Sequence, residues 1–294
     1  MQLVLKKILL GIGIFFLFPL GITVVISGSE NLKTSQRMDF EKFLPILMCQ
    51  QIDWDYEEET LKAQAVLVRS SLFLCAQNGE LTNSTWRSLM KEYQSKKNER
   101  SYQKTYERMK VAVESTKGMV LCMENSVCEG AFHKLSSGYT REGISILKDT
   151  SYKYLTRVKS SEDMYHKDYL SGHYFSQMAL KERLKRYYPE INWSEDSLFE
   201  QIQIMERDES DYVLRVQIGD RIVSGEELRV CLELSSSHFT IQEVEGQIRF
   251  LCKGIGHGMG MSQFGANEMA KEGSCYLEIL AYYFPVATVK TVKL

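Results

Sequence analysis

The sequence predicts an α+β protein of mixed helices and antiparallel strands, preceded by one N-terminal transmembrane helix. Three observations lead to this prediction: a long uncharged N-terminal run, a helical apolar stripe after it, and several short alternating segments nearer the C-terminus. The 294 residues, 44% hydrophobic and 25% charged, suffice for a packed core and exclude a disordered or collagen-like chain. The net charge of −2 gives no indication of nucleic-acid binding.

The N-terminal run Ile8–Ile26 contains 19 residues without a charge. A helix of that length crosses a hydrocarbon core of ~30 Å. Lys6 and Lys7 precede it, which predicts a cytoplasmic N-terminus and an extracytoplasmic remainder. The alternative is a cleaved signal peptide ending near Ser27–Ser29, although large Val25 and Ile26 make a poor cleavage site.

The chain is therefore divided into an anchor (residues 1–29), a polar linker (30–42) and one folded domain (43–294). Asp55, with Glu58 three residues later, predicts a helix start with a capping box. One apolar stripe of that helix consists of Leu61, Ala65, Val68, Leu72 and Cys75.

The rest of the chain alternates between helical and strand-like patterns. Residues 77–107 are polar and lysine-rich and predict an excursion with some helix, and 105–117 predict a helix that ends at Gly118. A hairpin is expected between 119 and 132, and a helix over 174–187. Strands are predicted at 212–218, 221–223, 238–243 and 247–252.

The seven cysteines are odd in number and irregularly spaced, so no disulfide framework is predicted. Cys122, Cys128 and His133 match no standard zinc spacing. We expect no metal site and no cofactor.

The strongest local motif is glycine-rich and runs from 254 to 266, with glycine at four alternate positions. Alternate glycines remove the side chains from one face of an extended segment, so that backbone or ligand can approach closely. His257, Ser262 and Gln263 bring polar groups to this surface. A functional surface and a packed glycine turn with a structural His257 both remain open at this point.

Two further segments carry clustered polar groups. One, at 131–140, contains His133, Ser136, Ser137 and Tyr139, which alone indicates only a turn. The other, at 61–69, contains Lys62, Gln64 and Arg69; the two cations are seven residues apart, on nearly the same helix side.

Taken together, these segments resemble the stage II sporulation protein D family, which also includes amidase enhancers of Gram-positive cell walls. The resemblance runs from about Phe43 to the C-terminus. The matching segments are LKAQAVLVR at 61–69, TKGMVL at 116–121, AFHKLSSGYTR at 131–141, GIGHGMGMSQFGANEMAKEG at 254–273 and YLEILAYYFP at 276–285.

The resemblance implies peptidoglycan remodelling during engulfment of the forespore, in the septal space outside the cytoplasmic membrane. Active family members are lytic transglycosylases: one Glu protonates the glycosidic oxygen, and the sugar 6-hydroxyl attacks to give a 1,6-anhydro product. The implied partners are glycan strands, a membrane-bound amidase and endopeptidase (stage II sporulation protein P), and a polytopic membrane protein (stage II sporulation protein M).

This chain departs from the family at the catalytic position. The family's Glu lies ten residues before the Leu of its LKAQA segment, which here is Gln51. An amide cannot act as a general acid, and that loss costs about 10²–10⁴-fold in rate. Asp53 or Asp55 could substitute, although Asp55 is better explained as the helix cap.

Two functional hypotheses follow, with a septal structural protein that lacks both properties as a third. The first is a glycan-binding member that supports a partner amidase without cleaving; the second is an active transglycosylase that uses a displaced carboxylate. The candidate catalytic positions are Gln51 and Asp53. The candidate substrate-binding residues are Lys62, Gln64, Arg69, His133, Ser136, Ser137, Tyr139, His257, Ser262 and Gln263.

Overall fold

The computed structural model describes residues 40–81, 83–194 and 197–292. The predicted anchor, with its apolar run Ile8–Ile26, and the predicted linker up to residue 39 lie outside the described residues. The last linker residues begin a 3₁₀ helix, Phe40–Phe43. Across the described part of the chain, no helix is long and apolar enough to span a membrane.

The structure consists of helices and mostly antiparallel strands, which confirms the α+β class. The helices are α1 (Leu44–Gln51), α2 (Glu58–Gln77), α3 (Asn83–Lys96), α4 (Arg100–Ser115), α5 (Gly143–Leu147), α6 (Gln177–Tyr187), α7 (Gly225–Leu232), α8 (Gln263–Lys271) and α9 (Tyr276–Tyr283). The strands are β1 (Met119–Met123), β2 (Ser126–Val127), β3 (Phe132–His133), β4 (Leu170–Ser176), β5 (Ile202–Arg207), β6 (Val213–Ile218), β7 (Arg221–Ser224), β8 (Phe239–Val244), β9 (Gln247–Lys253), β10 (Met261–Ser262) and β11 (Thr288–Thr291).

These elements form two compact units. The first unit contains the chain up to Ala131 and again from Met269 onward, and the second unit contains Phe132–Glu268. The first unit therefore combines α1–α4, α9 and an antiparallel sheet of order β11-β1-β2. The predicted domain limits at residues 29 and 42 stay predictions.

Helix α2 is the centre of the first unit. All five residues of its predicted apolar stripe are buried, and so are polar Thr60, Gln64 and Ser70, because α1, α4, α9 and β1 pack around it. The helix begins at Glu58, with Glu57 at the N-cap and no side-chain cap. The capping role predicted for Asp55 is therefore wrong: Asp55 is an exposed loop residue, and Glu58 and Glu59 supply the first-turn charge that favours the helix dipole.

The lysine-rich excursion is more helical than its composition predicts, since α3 and α4 occupy most of it. Aromatic contacts replace the missing aliphatic anchors. Trp86 is buried with its ring centroid 4.1 Å from that of Phe43, and Tyr93 lies 5.1 Å from Tyr106. Helix α4 ends at Ser115, close to the predicted stop, and the hairpin of β1 and β2 follows as predicted.

The second unit contains two antiparallel sheets, of order β4-β9-β8 and β5-β6-β7. Helices α6 and α7 contribute to its core through Leu180, Leu184 and Leu228, which pack with Val216 and Phe250. The predicted strands of this region are confirmed as β6, β7, β8 and β9 within one or two residues at each end.

The helix predicted from residue 174 starts three residues later. Residues up to Ser176 form strand β4, which pairs along its length with β9, and Ser176 then caps α6 by accepting a hydrogen bond from the Ala179 N–H. Alternate β4 residues are exposed. Ser, Gly and His interrupt its apolar residues, so the segment has no continuous apolar run from which a strand could be recognised.

Candidate functional site

Position 51, predicted from the sequence to correspond to a catalytic Glu, falls at the end of a helix in the first unit. Gln51 is the last residue of α1 and is half-buried. Asp53 and Asp55 are exposed in the loop before α2. Asp53 lines an open cavity of about 510 Å³, whereas Asp55 is not one of the residues that line it.

The three predicted binding residues of α2 have different environments. Lys62 donates to two carboxylates of its own helix, with Nζ 2.7 Å from Glu58 Oε1 and 2.8 Å from Glu59 Oε1. Gln64 is fully buried. Arg69 is fully buried as well, and neither Gln64 nor Arg69 presents an exposed group to a ligand in this structure.

The Arg69 guanidinium is surrounded by acceptors of the first unit. Its Nε and Nη2 donate to the two carboxylate oxygens of Glu41 at 2.7 and 3.0 Å. It also donates to the carbonyl of Val113 at 3.0 Å and to that of Met119 at 3.1 Å. Arg69 therefore joins α2 to the C-terminal turn of α4, the start of β1 and the 3₁₀ helix before α1.

In the second unit, the glycine-rich motif crosses other backbone segments at close range. Gly256 and Gly258 have φ of +109° and +78°, a region that other residues adopt only with strain. A Cβ on Gly256 would lie 2.8 Å from the Cβ of His133, and one on Gly258 would lie 2.6 Å from the Tyr212 ring. At these two positions the space next to the glycine is filled by His133 and Tyr212, so it is not open to a ligand.

This packing brings two predicted binding residues together. The rings of His133 and His257 have centroids 5.9 Å apart, and both side chains are buried. His133 Nδ1 lies 3.0 Å from the carbonyl oxygen of Met259, and the Met259 N–H donates to His257 Nδ1 at 3.1 Å. One residue of the glycine-rich motif thus orients both rings.

These contacts also assign the tautomers. Nδ1 of His133 faces an acceptor and carries the proton, which leaves Nε2 as a buried acceptor without a hydrogen-bond partner among the described residues. Burial, together with the neighbouring His257, lowers the pKa of His133 to about 3. Burial lowers the pKa of His257 to about 4, so both rings are neutral at pH 7.

Two predicted serines meet a carboxylate that sequence analysis missed. Asp163 accepts from the Ser136 N–H at 2.8 Å and from the Ser262 hydroxyl at 2.9 Å. All three residues are fully buried, and burial raises the pKa of Asp163, against the effect of these hydrogen bonds. No local pattern indicates this contact, because the three residues come together only when the unit folds.

The remaining predicted residues differ in exposure. Tyr139 is 36% exposed, and the Arg157 guanidinium lies 3.7 Å from the centre of its ring. Ser137 is half-buried, and its N–H donates to the Tyr212 hydroxyl at 3.1 Å. Gln263 is buried and begins α8. Tyr139 and Ser137 are thus the members of the second-unit set with the best access to a ligand.

A buried ionic network lies beneath the glycine-rich motif and was also not predicted. Arg141, the last residue of the AFHKLSSGYTR segment, donates to Asp208 at 2.6 Å and to Glu226 at 2.9 Å. It also donates to the carbonyl oxygen of His257 at 3.1 Å. Burial alone would raise the pKa of Glu226. The nearby Arg229 and Arg141 lower it to about 2 instead, so the carboxylate is ionised.

Among the residues that the structure describes, no group of three or more His, Cys, Asp or Glu side chains is arranged to hold a metal ion. Cys122 and Cys128 are buried thiols of the β1–β2 region, and burial raises the pKa of both.

Comparison with known proteins gives consistent matches. The family model described as Stage II sporulation protein matches residues 28–123, which include position 51 and the 61–69 segment. Over 279 residues, stage II sporulation protein D of Bacillus amyloliquefaciens is 28% identical, an alignment that covers 90% of this chain and 77% of that protein. The Bacillus subtilis protein of the same name is 26% identical over 279 residues, covering 90% and 78%. The amidase enhancer of Bacillus subtilis is 39% identical over 54 residues, which is 18% of this chain and 8% of that protein.

Proposed function

We propose that this chain, which is similar over most of its length to stage II sporulation protein D, belongs to that family and takes part in remodelling the cell wall during sporulation. More specifically, it binds glycan strands of septal peptidoglycan during engulfment of the forespore and supports a partner amidase. Its own cleavage of those strands is impaired.

The proposal that cleavage is impaired rests on the amide at position 51. A lytic transglycosylase needs a group that gives a proton to the glycosidic oxygen, and the side chain of Gln51 has no acidic proton to give. Loss of general acid catalysis lowers the rate by about 10²–10⁴-fold. The segments that the resemblance assigns to binding remain present in the sequence, and Lys62, Ser137 and Tyr139 keep partly exposed side chains, so binding without cleavage fits the chain best.

The second unit supplies groups suited to sugar hydroxyls. Tyr139 and Ser137 have partly exposed polar side chains, and the buried ring of neutral His133 retains an acceptor nitrogen. Neutral donors and acceptors suit an uncharged polyol, whose many hydroxyl groups both donate and accept hydrogen bonds. Sites built to pair with hydroxyls can be strongly selective without any turnover.

The proposal includes a location and partners. Ile8–Ile26 anchors the chain as a single-pass membrane protein, with the described units on the extracytoplasmic side in the septal space. The similarity to an amidase enhancer supports a cell-wall amidase as a partner. By resemblance, an endopeptidase and a polytopic membrane protein belong to the same assembly.

The test uses the full chain, purified in detergent, with denuded glycan strands. Co-sedimentation measures binding, and mass spectrometry measures 1,6-anhydro ends. We expect binding without new anhydro ends, and we expect Gln51→Glu to increase anhydro-end formation by roughly 10²-fold or more. Absence of glycan binding by the unaltered chain would refute the proposal, as would anhydro-end formation at a rate that Gln51→Glu does not increase.

The second candidate function, an active transglycosylase with a displaced carboxylate, is favoured by one observation. Asp53 is exposed, lies two residues after position 51 and lines the open cavity, so a ligand could reach it. Anhydro ends that the unaltered chain produces and Asp53→Asn does not would establish this function. Asp55→Asn is the matched control, because Asp55 is equally exposed but outside the cavity lining.

A further inference from the structure

The first unit contains an open cavity, and Asp53 is one of the residues that line it. It has a volume of about 510 Å³, within the range of about 300–1,000 Å³ that is usual for small-molecule sites. It lies between the loop after α1 and the pair of helices α3 and α4. Its lining residues are Cys49, Ile52, Asp53, Trp54, Lys96, Glu99, Ser101, Tyr102, Lys104 and Thr105. Apart from Asp53, none of them belongs to the set of predicted site residues.

Trp54 gives the cavity an accessible aromatic wall. Its side chain is 43% exposed, whereas Trp86 of the same unit is only 5% exposed. The loop that carries Trp54 is held in place, since the Arg108 guanidinium donates to the carbonyl oxygens of Trp54 at 2.7 Å and of Tyr56 at 2.8 Å. A fixed loop presents the indole with little loss of conformational entropy on binding.

The other lining groups are polar and balanced in charge. Two acids, Asp53 and Glu99, face two bases, Lys96 and Lys104, and Lys96 is already 2.8 Å from Glu92. The balance gives no net attraction for an anion such as a phosphate. Ser101 and Thr105 add hydroxyls. An aromatic wall with many donors and acceptors around it is suited to a pyranose, which has an apolar C–H face and a rim of hydroxyl groups.

In this structure the Lys104 side chain covers the Trp54 indole, with its ammonium 4.4 Å from the centre of the ring. A pyranose would have to pack against the same ring. A cation–π contact at an exposed site is weak. The flexible Lys104 side chain can therefore leave the ring when a sugar arrives and then donate to a sugar hydroxyl at the rim.

We propose that this cavity is a saccharide-binding subsite, in which an N-acetylated pyranose ring of a glycan strand packs against the Trp54 indole and Asp53 and Ser101 contact its hydroxyl groups. The proposal rests on the proposed function, because it takes the ligand to be a glycan strand. It adds a subsite formed by the first unit alone.

The test measures binding of two probes to the full chain in detergent: the N-acetylglucosamine tetramer and denuded glycan strands. Iodide quenching of tryptophan fluorescence reports on the cavity through the part of the signal that Trp54→Phe removes, because Trp86 is buried and the half-buried Trp193 of the second unit contributes the remainder. The variants are Trp54→Ala and Trp54→Phe, the second of which keeps an aromatic wall. Tyr187→Ala, at a 53% exposed aromatic residue of the second unit, is the matched control.

We expect both sugars to protect the unaltered chain from quenching. Trp54→Ala should raise the Kd of the tetramer roughly tenfold or more, as truncation of a central aromatic anchor does; isothermal titration calorimetry measures this Kd in every variant, because the Trp54 variants lack the reporting indole. Trp54→Phe should raise it clearly less, and Tyr187→Ala should leave it unchanged. Thermal unfolding of each variant verifies that it is folded.

Failure of the proposed function and failure of the subsite give different binding results. If the unaltered chain binds neither sugar, the proposed function fails and this subsite fails with it. If glycan strands bind but folded Trp54→Ala and Trp54→Phe bind both probes like the unaltered chain, the subsite is refuted while the proposed function stands. Tetramer binding that Tyr187→Ala weakens as much as Trp54→Ala does would also refute it.

Discussion

The two units each contain an arginine that is almost completely inaccessible to solvent: Arg69 in the first, 0% exposed, and Arg141 in the second, 1% exposed. Both close a segment that carries the family resemblance, and in the sequence both look like surface cations. Their environments differ. Arg69 faces one carboxylate, Glu41, whose side chain is 13% exposed, together with backbone carbonyls. Arg141 faces two carboxylates, Asp208 and Glu226, which are 6% and 3% exposed.

The difference determines what each arginine is needed for. Around Arg69 the guanidinium mainly satisfies carbonyl groups at the ends of elements, and water can still reach its one carboxylate. Around Arg141 the guanidinium neutralises carboxylates that have little access to water, and its contact with the His257 carbonyl couples this network to the glycine-rich motif. A buried charge without its partner costs far more than a lost surface pair. The two units should therefore respond very differently to the same substitution.

The largest effect is expected for Arg141→Met. The substitution removes the cation that faces both Asp208 and Glu226; Glu226 keeps Arg229 at 2.8 Å, whereas Asp208 loses its arginine, so we expect a loss of about 3 kcal/mol in the free energy of unfolding. Urea denaturation measures the total loss, and hydrogen exchange with mass spectrometry locates it in the second unit. Glu226→Gln, which removes one charge together with its desolvation, should cost less. A loss below about 1 kcal/mol for Arg141→Met would contradict the importance given to the network.

A smaller effect is expected for Arg69→Met, about 2–3 kcal/mol, because charged hydrogen bonds are lost while Glu41 can be hydrated. The loss should appear in the first unit by hydrogen exchange. Arg69→Lys keeps the charge but not the forked geometry and should recover only part of the stability. Glycan binding per folded molecule should not change, since the side chain is buried. Loss of binding by a folded variant would instead support the substrate-binding role predicted from the sequence.

Two buried histidines, His133 and His257, should make the stability of the second unit depend on pH. The folded-state pKa values of His133, about 3, and His257, about 4, are below the ordinary histidine value of 6.5. As pH falls below about 6.5, the unfolded chain takes up protons before the folded one, so stability decreases as pH falls. Between pH 7.5 and 5.5 each ring should account for about 1 kcal/mol of that loss.

The measurement is urea denaturation of the unaltered chain and of His257→Asn at both pH values. Asn places an oxygen near the position of Nδ1 and cannot be protonated, so the variant should lose about 1 kcal/mol less between the two pH values. Equal losses in both proteins would mean that His257 titrates normally. The first unit has no histidine among its described residues, so hydrogen exchange should place this pH dependence in the second unit.

The smallest effect is expected for Lys62→Gln. Lys62 pairs with Glu58 and Glu59 on the surface of α2, and exposed pairs of this kind contribute under about 1 kcal/mol. Lys62→Arg serves as a control that keeps the charge. If Lys62 contacts a glycan as predicted, Lys62→Gln should weaken glycan binding in co-sedimentation while the unfolding midpoint hardly moves. Unchanged binding would remove Lys62 from the site.

Local patterns predicted most of the secondary structure. The stripe from Leu61 to Cys75 predicted α2 because a helix packed on several sides keeps the 3.6-residue period on its most buried face. The alternation in 212–218 predicted β6 for the corresponding reason in a sheet. Strand β4 was missed because its half-exposed edge carries little apolar periodicity. Asp55 was misassigned because a capping box alone does not determine which residue occupies the N-cap.

The candidate site was predictable only in part. His133 and His257 were found because glycine-rich and polar clusters stand out in the sequence, and the fold brings the two rings within 5.9 Å. Asp163 and Tyr212 were missed, although each contacts a predicted residue. Their local sequence is ordinary, and their importance comes from contacts between residues that are far apart in the chain.

The sequence by itself determined the resemblance to stage II sporulation protein D, the α+β class and the amide at position 51, because each depends on residue identity and local spacing. Only the tertiary structure decided which polar residues are buried. It enclosed Arg69, turned Ser136 and Ser262 toward Asp163, and left Asp53 and Trp54 open to solvent. The physical reason is that a helix or strand periodicity assigns a face, whereas exposure depends on what the rest of the chain packs against that face.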